Sequence, residues 1–338
     1  MIGQVLLPVV FPPEADERLS SWIARMASFY AMTVPEFLTE FGLSGRDVFD
    51  LEWRMSEGEG AQIEARTGLS PQVVQGMTFG ELIPEARMMI RRNRYHCPMC
   101  PADVQSKAAA LPWAFRCPVH GSDYQDTKGE ALPVVLGAKR MATAEAPAKV
   151  GAAVLDAWVQ GLGQGDLGPV EILALLTTRH RRASPPSLSE QPRMSLQTRR
   201  DYHDFLTTPI IRQALTVVVP EYDEVAPVLA KPVRPGLHAL AQGSLLQVFA
   251  LTVGIGRVVE NPVDQAISIL LKSDVDGQVR VREALATWPL SLRRRISARL
   301  WRAQRDEREH QNAAKPKKRR QSHEFRLIQS HEYRSRIS

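Results

Sequence analysis

The sequence predicts a mainly α-helical chain. It has a helical N-terminal domain with a helix-turn-helix-like element, a small ligand-organised module, and a helical C-terminal domain running into a basic tail. Three observations predict this. Apolar residues recur at the i, i+3, i+4, i+7 spacing in most long stretches. Helix start and stop residues flank several of those stretches. The exception is residues 94 to 124, where periodicity is weak and all three cysteines of the chain lie.

In chain order, residues 17 to 30 read as a helix because Leu19, Trp22, Ile23, Met26 and Tyr30 share one face. A second helix begins in "TVPEFLTEFG", with Thr33 as cap, Glu36 completing a capping box, Pro35 in the first turn and Gly42 at the end. The stretch "AQIEARTGLSPQVVQGM" reads as two short helices broken at Gly68, the second capped by Ser70 and opened by Pro71. That is helix-turn-helix spacing, which any helical corner also shows. If the Pro71 helix enters a major groove, Gln72 and Gln75 are placed to reach base edges. If it is core, Val73, Val74 and Met77 carry it. Helical patterns resume from 149 to 182 through "VLDAWVQGL" and "VEILALLTTRHRR". After a Pro- and Ser-rich linker, "RRDYHDFL", "PIIRQAL", "GSLLQVFALTVG" and "VDQAISILL" read as helical again. The expected divisions are 1–92, 93–130, 131–182, a linker at 183–193, 194–310, and a tail at 311–338 expected to be disordered when unbound.

In the module, Cys97 and Cys100 are two residues apart, and after sixteen intervening residues Cys117 and His120 repeat the spacing as C-x2-H. Two such knuckles present four soft or borderline ligands in the tetrahedral arrangement that zinc prefers in structural sites. Pro98 and Pro118 directly follow a ligand and stiffen each turn. One structural Zn2+ in a zinc-ribbon-like module is therefore expected on Cys97, Cys100, Cys117 and His120. A redox C-x-x-C pair would leave Cys117 and His120 unexplained. A catalytic zinc needs an open coordination position that four protein ligands do not leave. Three thiolates and a neutral imidazole carry a formal −1, which Arg91, Arg92, Arg94 and Arg116 are near enough in sequence to offset.

Charge is unevenly placed. Residues 290–338 hold 15 Lys and Arg against 5 Asp and Glu, while the rest of the chain holds 28 against 32. The basic end suggests a polyanionic partner, most often nucleic acid. In "WPLSLRRRISARLWRAQRDE" Ser291 is a candidate cap, and Leu292, Ile296, Leu300 and Ala303 form an apolar stripe. Arg293, Arg294, Arg295, Arg299 and Arg302 lie mostly off it, as a surface for DNA phosphates; a solvated face is the alternative. No apolar run approaches the roughly 20 residues that span a bilayer, so no membrane association is expected. The N-terminus has no basic leader, and the few, odd-numbered cysteines suit a reducing cytoplasm. The chain has no G-x-x-x-x-G-K-[ST], no H-E-x-x-H and no G-x-S-x-G, and an enzyme is not expected.

"DERLSSWIARMA" resembles the opening helix of the TniQ family of transposition target-selection proteins, whose pattern is E-x-L-x-S-W-x-x-R-x-A; Glu17, Leu19, Ser21, Trp22, Arg25 and Ala27 fill it. The lead "LPVVFPPEADE" resembles the family's start, and "RYHCPMC", Trp113 and "CPVHG" resemble its zinc module. "LATWP", with Trp288 and Pro289, is similar to a turn near the family's C-terminus. Tyr124 stands where a leucine is usual, and no cysteines remain for a second zinc motif. The resemblance implies a non-catalytic adaptor that recognises target DNA or an RNA-guided complex and connects it to an AAA+ ATPase and a transposase, with a homodimer as a family arrangement. The reading from another class is a zinc-ribbon or helix-turn-helix transcriptional regulator acting alone on an operator.

Overall fold

The computed structural model describes residues 6–90, 95–126, 129, 131–132, 136–162, 165, 167–183, 210–225 and 235–314. Helices dominate, as expected. Residues 1–293 form one compact unit and residues 294–338 a second. No helix among the described residues is long and apolar enough to cross a membrane.

The chain opens with five helices: α1 (Leu19–Phe29), α2 (Val34–Glu40), α3 (Val48–Arg54), α4 (Glu57–Thr67) and α5 (Pro71–Gly76). The caps explain the boundaries. Thr33 and Glu36 form a capping box, Ser56 and Glu59 form another, and Ser70 accepts from Val73 N–H. Gly68 closes α4 in the left-handed conformation, φ +71°, which costs a residue without Cβ least. Trp22, Ile23 and Met26 of α1, Phe37 of α2, Leu51 of α3, Ile63 of α4 and Val74 of α5 share one core. The extended N-terminal lead lies over it, and Trp22 Nε1 donates to the Phe11 carbonyl at 2.9 Å.

The middle module has almost no regular structure. A two-residue strand β1 (Tyr95–His96) pairs antiparallel with β2 (Gln125–Asp126) and closes it.

Helix α6 (Ala138–Val159) starts well before the periodic stretch that signals it. It crosses α11 (Leu245–Glu260) with backbones in contact: a Cβ on Gly151 would lie 1.9 Å from the Thr252 carbonyl oxygen, and one on Gly256 2.0 Å from that of Pro147. Around this crossing pack α7 (Pro169–Leu176), α8 (Leu215–Val218), α9 (Pro220–Val225), α10 (His238–Gln242), α12 (Pro262–Lys272) and α13 (Val275–Leu285). Leu155, Ile172, Leu173, Leu251, Ile255 and Ile269 are fully buried there.

Two expectations are corrected here. The helix expected to continue through "TTRHRR" stops at Leu176, and β3 (Arg179–Ala183) follows. "PIIRQAL" supplies β4 (Ile210–Gln213), antiparallel to β3, before α8. The hydroxyls of Thr177 and Thr178 turn back onto the Leu173 and Ala174 carbonyls at 2.6 and 2.7 Å, occupying acceptors at the end of the helix. The strand's backbone then finds other partners: the His180 carbonyl accepts from Asp274 N–H, and Gly277 lies so close that a Cβ would sit 1.6 Å from that oxygen. Segments far apart in sequence make β3, so local periodicity could not reveal it.

"RRDYHDFL", nearly all of the expected linker, and the tail beyond residue 314 lie outside the described residues. Helix α14 (Leu290–Ala314) begins one residue before Ser291, which therefore stands in the first turn and is not the cap. Arg293 N–H donates to the Pro289 carbonyl, as the first turn requires.

Candidate metal centre

The module brings its four predicted ligands together. Sulfur or ring-nitrogen atoms of Cys97, Cys100, Cys117 and His120 all lie within 4.8 Å of one another. His120 Nδ1 is 3.5, 3.4 and 3.6 Å from the sulfurs of Cys97, Cys100 and Cys117, and Cys100 Sγ is 3.9 Å from Cys117 Sγ. A tetrahedron with metal–sulfur bonds of about 2.3 Å and a metal–nitrogen bond of about 2.0 Å has edges of about 3.5–3.8 Å. The donor set therefore fits a four-coordinate ion with no position left open.

Local backbone chemistry shapes each knuckle. After Cys97 the chain curls so that Met99 N–H points at the Cys97 sulfur (3.3 Å) and Cys100 N–H at the Cys97 carbonyl (3.3 Å). In the second knuckle Gly121 N–H donates to the Cys117 carbonyl at 2.8 Å and Cys117 N–H to that of Ser122 at 2.9 Å. The Ser122 hydroxyl lies 3.0 Å from Cys97 Sγ, across the two knuckles. Burial opposes ionisation of the Cys97 thiol, but the hydrogen bonds from Ser122 and the Met99 amide prevail and bring it down to about 6. Burial, followed by the neighbouring sulfurs, pushes Cys100 up to about 12. Metal loading at these thiols must displace protons.

Arg116 is one of the residues expected to offset the site's charge. Its guanidinium pairs with Asp123 and Glu145, each at 3.0 Å. Arg91, Arg92 and Arg94 lie outside the described residues.

Several residues with no ligand signature fix the module to its neighbours. The Ser21 hydroxyl accepts from Gln105 N–H (2.9 Å) and lies 3.2 Å from the Asp103 carbonyl oxygen, while Arg18 N–H donates to the Gln105 carbonyl (3.0 Å). Asp16 accepts from the Ser106 hydroxyl and from Ala108 N–H at 3.0 Å. Because the Ser106 proton is committed to Asp16, Tyr124 donates its phenol to Ser106 Oγ at 3.1 Å. Burial raises the Tyr124 phenol. This explains a tyrosine where an apolar residue would also fit. On the other flank Trp113 Nε1 donates to Asp156 Oδ1 of α6 at 2.7 Å, and Phe115 meets Phe249 of α11 edge-on at 5.0 Å.

The motif in α1 is structural on the same evidence. Glu17 accepts from Ser21 (3.0 Å) and from Arg25 (3.1 and 2.8 Å). Arg18 is buried and bonded to the buried Glu52 through Nε at 2.9 Å and Nη2 at 2.5 Å, with its guanidinium 5.6 and 5.5 Å from the Phe49 and Phe79 ring centres. Glu52 also accepts from Ser20 N–H at 2.8 Å. Nothing in the sequence marks Glu52, because its partner is 34 residues away.

The candidate nucleic-acid residues lie elsewhere. Gln72 and Gln75 are both exposed on α5, a helix of six residues, while Val74 and Met77 are buried and Val73 is 37% exposed. Arg293, Arg294, Arg295, Arg299 and Arg302 are all exposed on α14. Leu292 and Ile296 of the predicted stripe are buried, and Leu300 and Ala303 half-buried.

The TniQ family model matches residues 8–123, from the N-terminal lead through the second knuckle. That segment is TniQ-like over 116 of 338 residues, bearing out the resemblance read from the α1 motif and the knuckles. No curated protein and no solved structure matches the chain.

Proposed function

We propose that this protein is a non-catalytic accessory protein of DNA transposition that selects or marks the target site, bridging target DNA or a guide complex to an AAA+ ATPase and a transposase. The observation that carries the reading is the coincidence of the TniQ match with a geometrically complete ligand set inside it. Zn2+ is the ion we assign, because three thiolates and one imidazole in a closed tetrahedron are the donor set of a structural zinc site. Cys97, Cys100, Cys117 and His120 would hold it. The ion supplies folding energy there and no chemistry. The exposed arginines of α14 are assigned to DNA phosphates, which they can meet bidentately.

Insertion mapping tests the reading. In cells that express this protein together with a candidate transposase and AAA+ ATPase, removing the protein should abolish insertion or scatter it over many sites. Unchanged frequency and unchanged sites would overturn the proposal. An operator-binding regulator would instead alter transcripts and leave the insertion sites as they were.

A further inference from the structure

Helix α14 carries a side chain that phosphate binding does not explain. Trp301 is 62% exposed, and the Arg305 guanidinium lies 5.7 Å from its ring centre. A single exposed apolar side chain is ordinary on a protein surface; what sets this indole apart is the guanidinium beside its ring and its position among arginines.

Its place on the helix is informative. Arg294, Ala298, Trp301 and Arg305 fall at i, i+4, i+7 and i+11, along one line of the helix. At about 100° per residue, Trp301 sits about 140° round from the buried Ile296. The indole therefore stands within the basic face, away from the apolar stripe. Between Arg294 and Asp306 that helix has five arginines and a single acid, and all five arginines are exposed. A helix that lies in a lipid interface places its tryptophan on the apolar side, which is the opposite arrangement. An indole flanked by guanidiniums suits a polyanion that also offers flat π-faces. Base–aromatic stacking stabilises such complexes, and arginine adds to it.

We propose that this face of α14 binds nucleic acid with unpaired or unstacked bases, Trp301 stacking on one base while the arginines engage flanking phosphates. Bases in an intact duplex are covered above and below, so the stacking requires a single-stranded, bubbled or kinked site. The proposal rests on the assignment of the arginines to DNA and adds which form of DNA the helix prefers.

Fluorescence anisotropy with the full chain tests it on three labelled probes of one sequence: a paired duplex, the duplex with a central mismatch bubble, and the bubble made abasic. Wild type should prefer the base-containing bubble. Trp301→Ala should lose about tenfold on that probe, as stacking of a single base implies, with little change on the others and an unchanged salt slope. Trp301→Phe should keep most of the preference. Changing Arg294, Arg295 and Arg299 to alanine should weaken all three probes and flatten log affinity against log salt by up to about 2.7. Trp301→Ala that binds the bubble like wild type, or that loses equally on all probes, overturns the stacking. So does competition by anionic lipid vesicles in place of the abasic-sensitive preference. If the arginine variant keeps affinity and slope while Trp301→Ala abolishes the preference, the phosphate assignment fails and the stacking stands. If wild type binds none of the probes, both fail.

Discussion

Arg18 and Glu52 show what a side chain without chemistry can do. Both are buried, and each is the other's principal partner. Breaking a buried pair leaves an uncompensated charge, which costs about 3–5 kcal/mol. Glu52→Ala should therefore lower unfolding stability by that order, measured by denaturant titration. Glu36→Ala, which removes an exposed capping-box partner, should cost far less than the buried pair does. His180 gives the pH dependence. Burial, with the Arg181 charge adding to it, lowers its imidazole to about 4 from an ordinary 6.5. The folded state thus binds fewer protons there than the unfolded chain. Stability is full above about 6.5 and falls as pH drops toward 4. His180→Phe should remove that part of the slope in melts taken from pH 7 down to 4. An unchanged slope would show that other groups carry it. The ligand residues were legible because C-x2-C and C-x2-H are local spacings. Glu52, Asp16, Ser106 and Asp156 were not, because their partners are between 18 and 92 residues away.

Elements whose ends are set by their own residues were read correctly. The capping box of α2, the Ser70–Pro71 start of α5 and the Gly68 stop of α4 are all encoded within a few positions. The strands β3 and β4 were not, since their pairing spans about thirty residues and β3 leans on the α12–α13 connection. The α6–α11 crossing is also invisible to periodicity, because it depends on two glycines more than 100 residues apart meeting opposite carbonyls. It yields a contrast within one residue type. Gly151→Ala and Gly256→Ala force two backbones apart and should each cost at least about 1–3 kcal/mol. Gly58→Ala, in α4 with open space around it, should be neutral or stabilise by about 0.5–1 kcal/mol. Thermal melts of the three variants check this, and equal effects at all three positions would contradict the close crossing.

At the scale of the whole molecule, residues 1–293 are one compact unit, and the ligand module touches both its N-terminal helices and the α6–α11 pair. The module joins α1 through Ser21, Arg18 and Asp16, α6 through Trp113, and α11 through Phe115. A pair of two-residue strands and a small cluster around Tyr95, Ala109 and Tyr124 could not hold such a loop-rich segment unaided. The zinc we propose would therefore brace this connection between the helical parts alongside those contacts. In isolated fingers metal binding is worth roughly 10–16 kcal/mol, and here the flanking contacts share that load. The most direct measurement is elemental analysis of the full chain purified without added metal, paired with a thermal melt. One zinc per chain is predicted for the wild type. Cys117→Ser should hold less than about a tenth of that zinc, the metal affinity having lost one of four ligands, and should melt well below the wild type. A wild-type chain free of metal yet melting cooperatively, or a Cys117→Ser variant with undiminished zinc and melting temperature, would contradict the account.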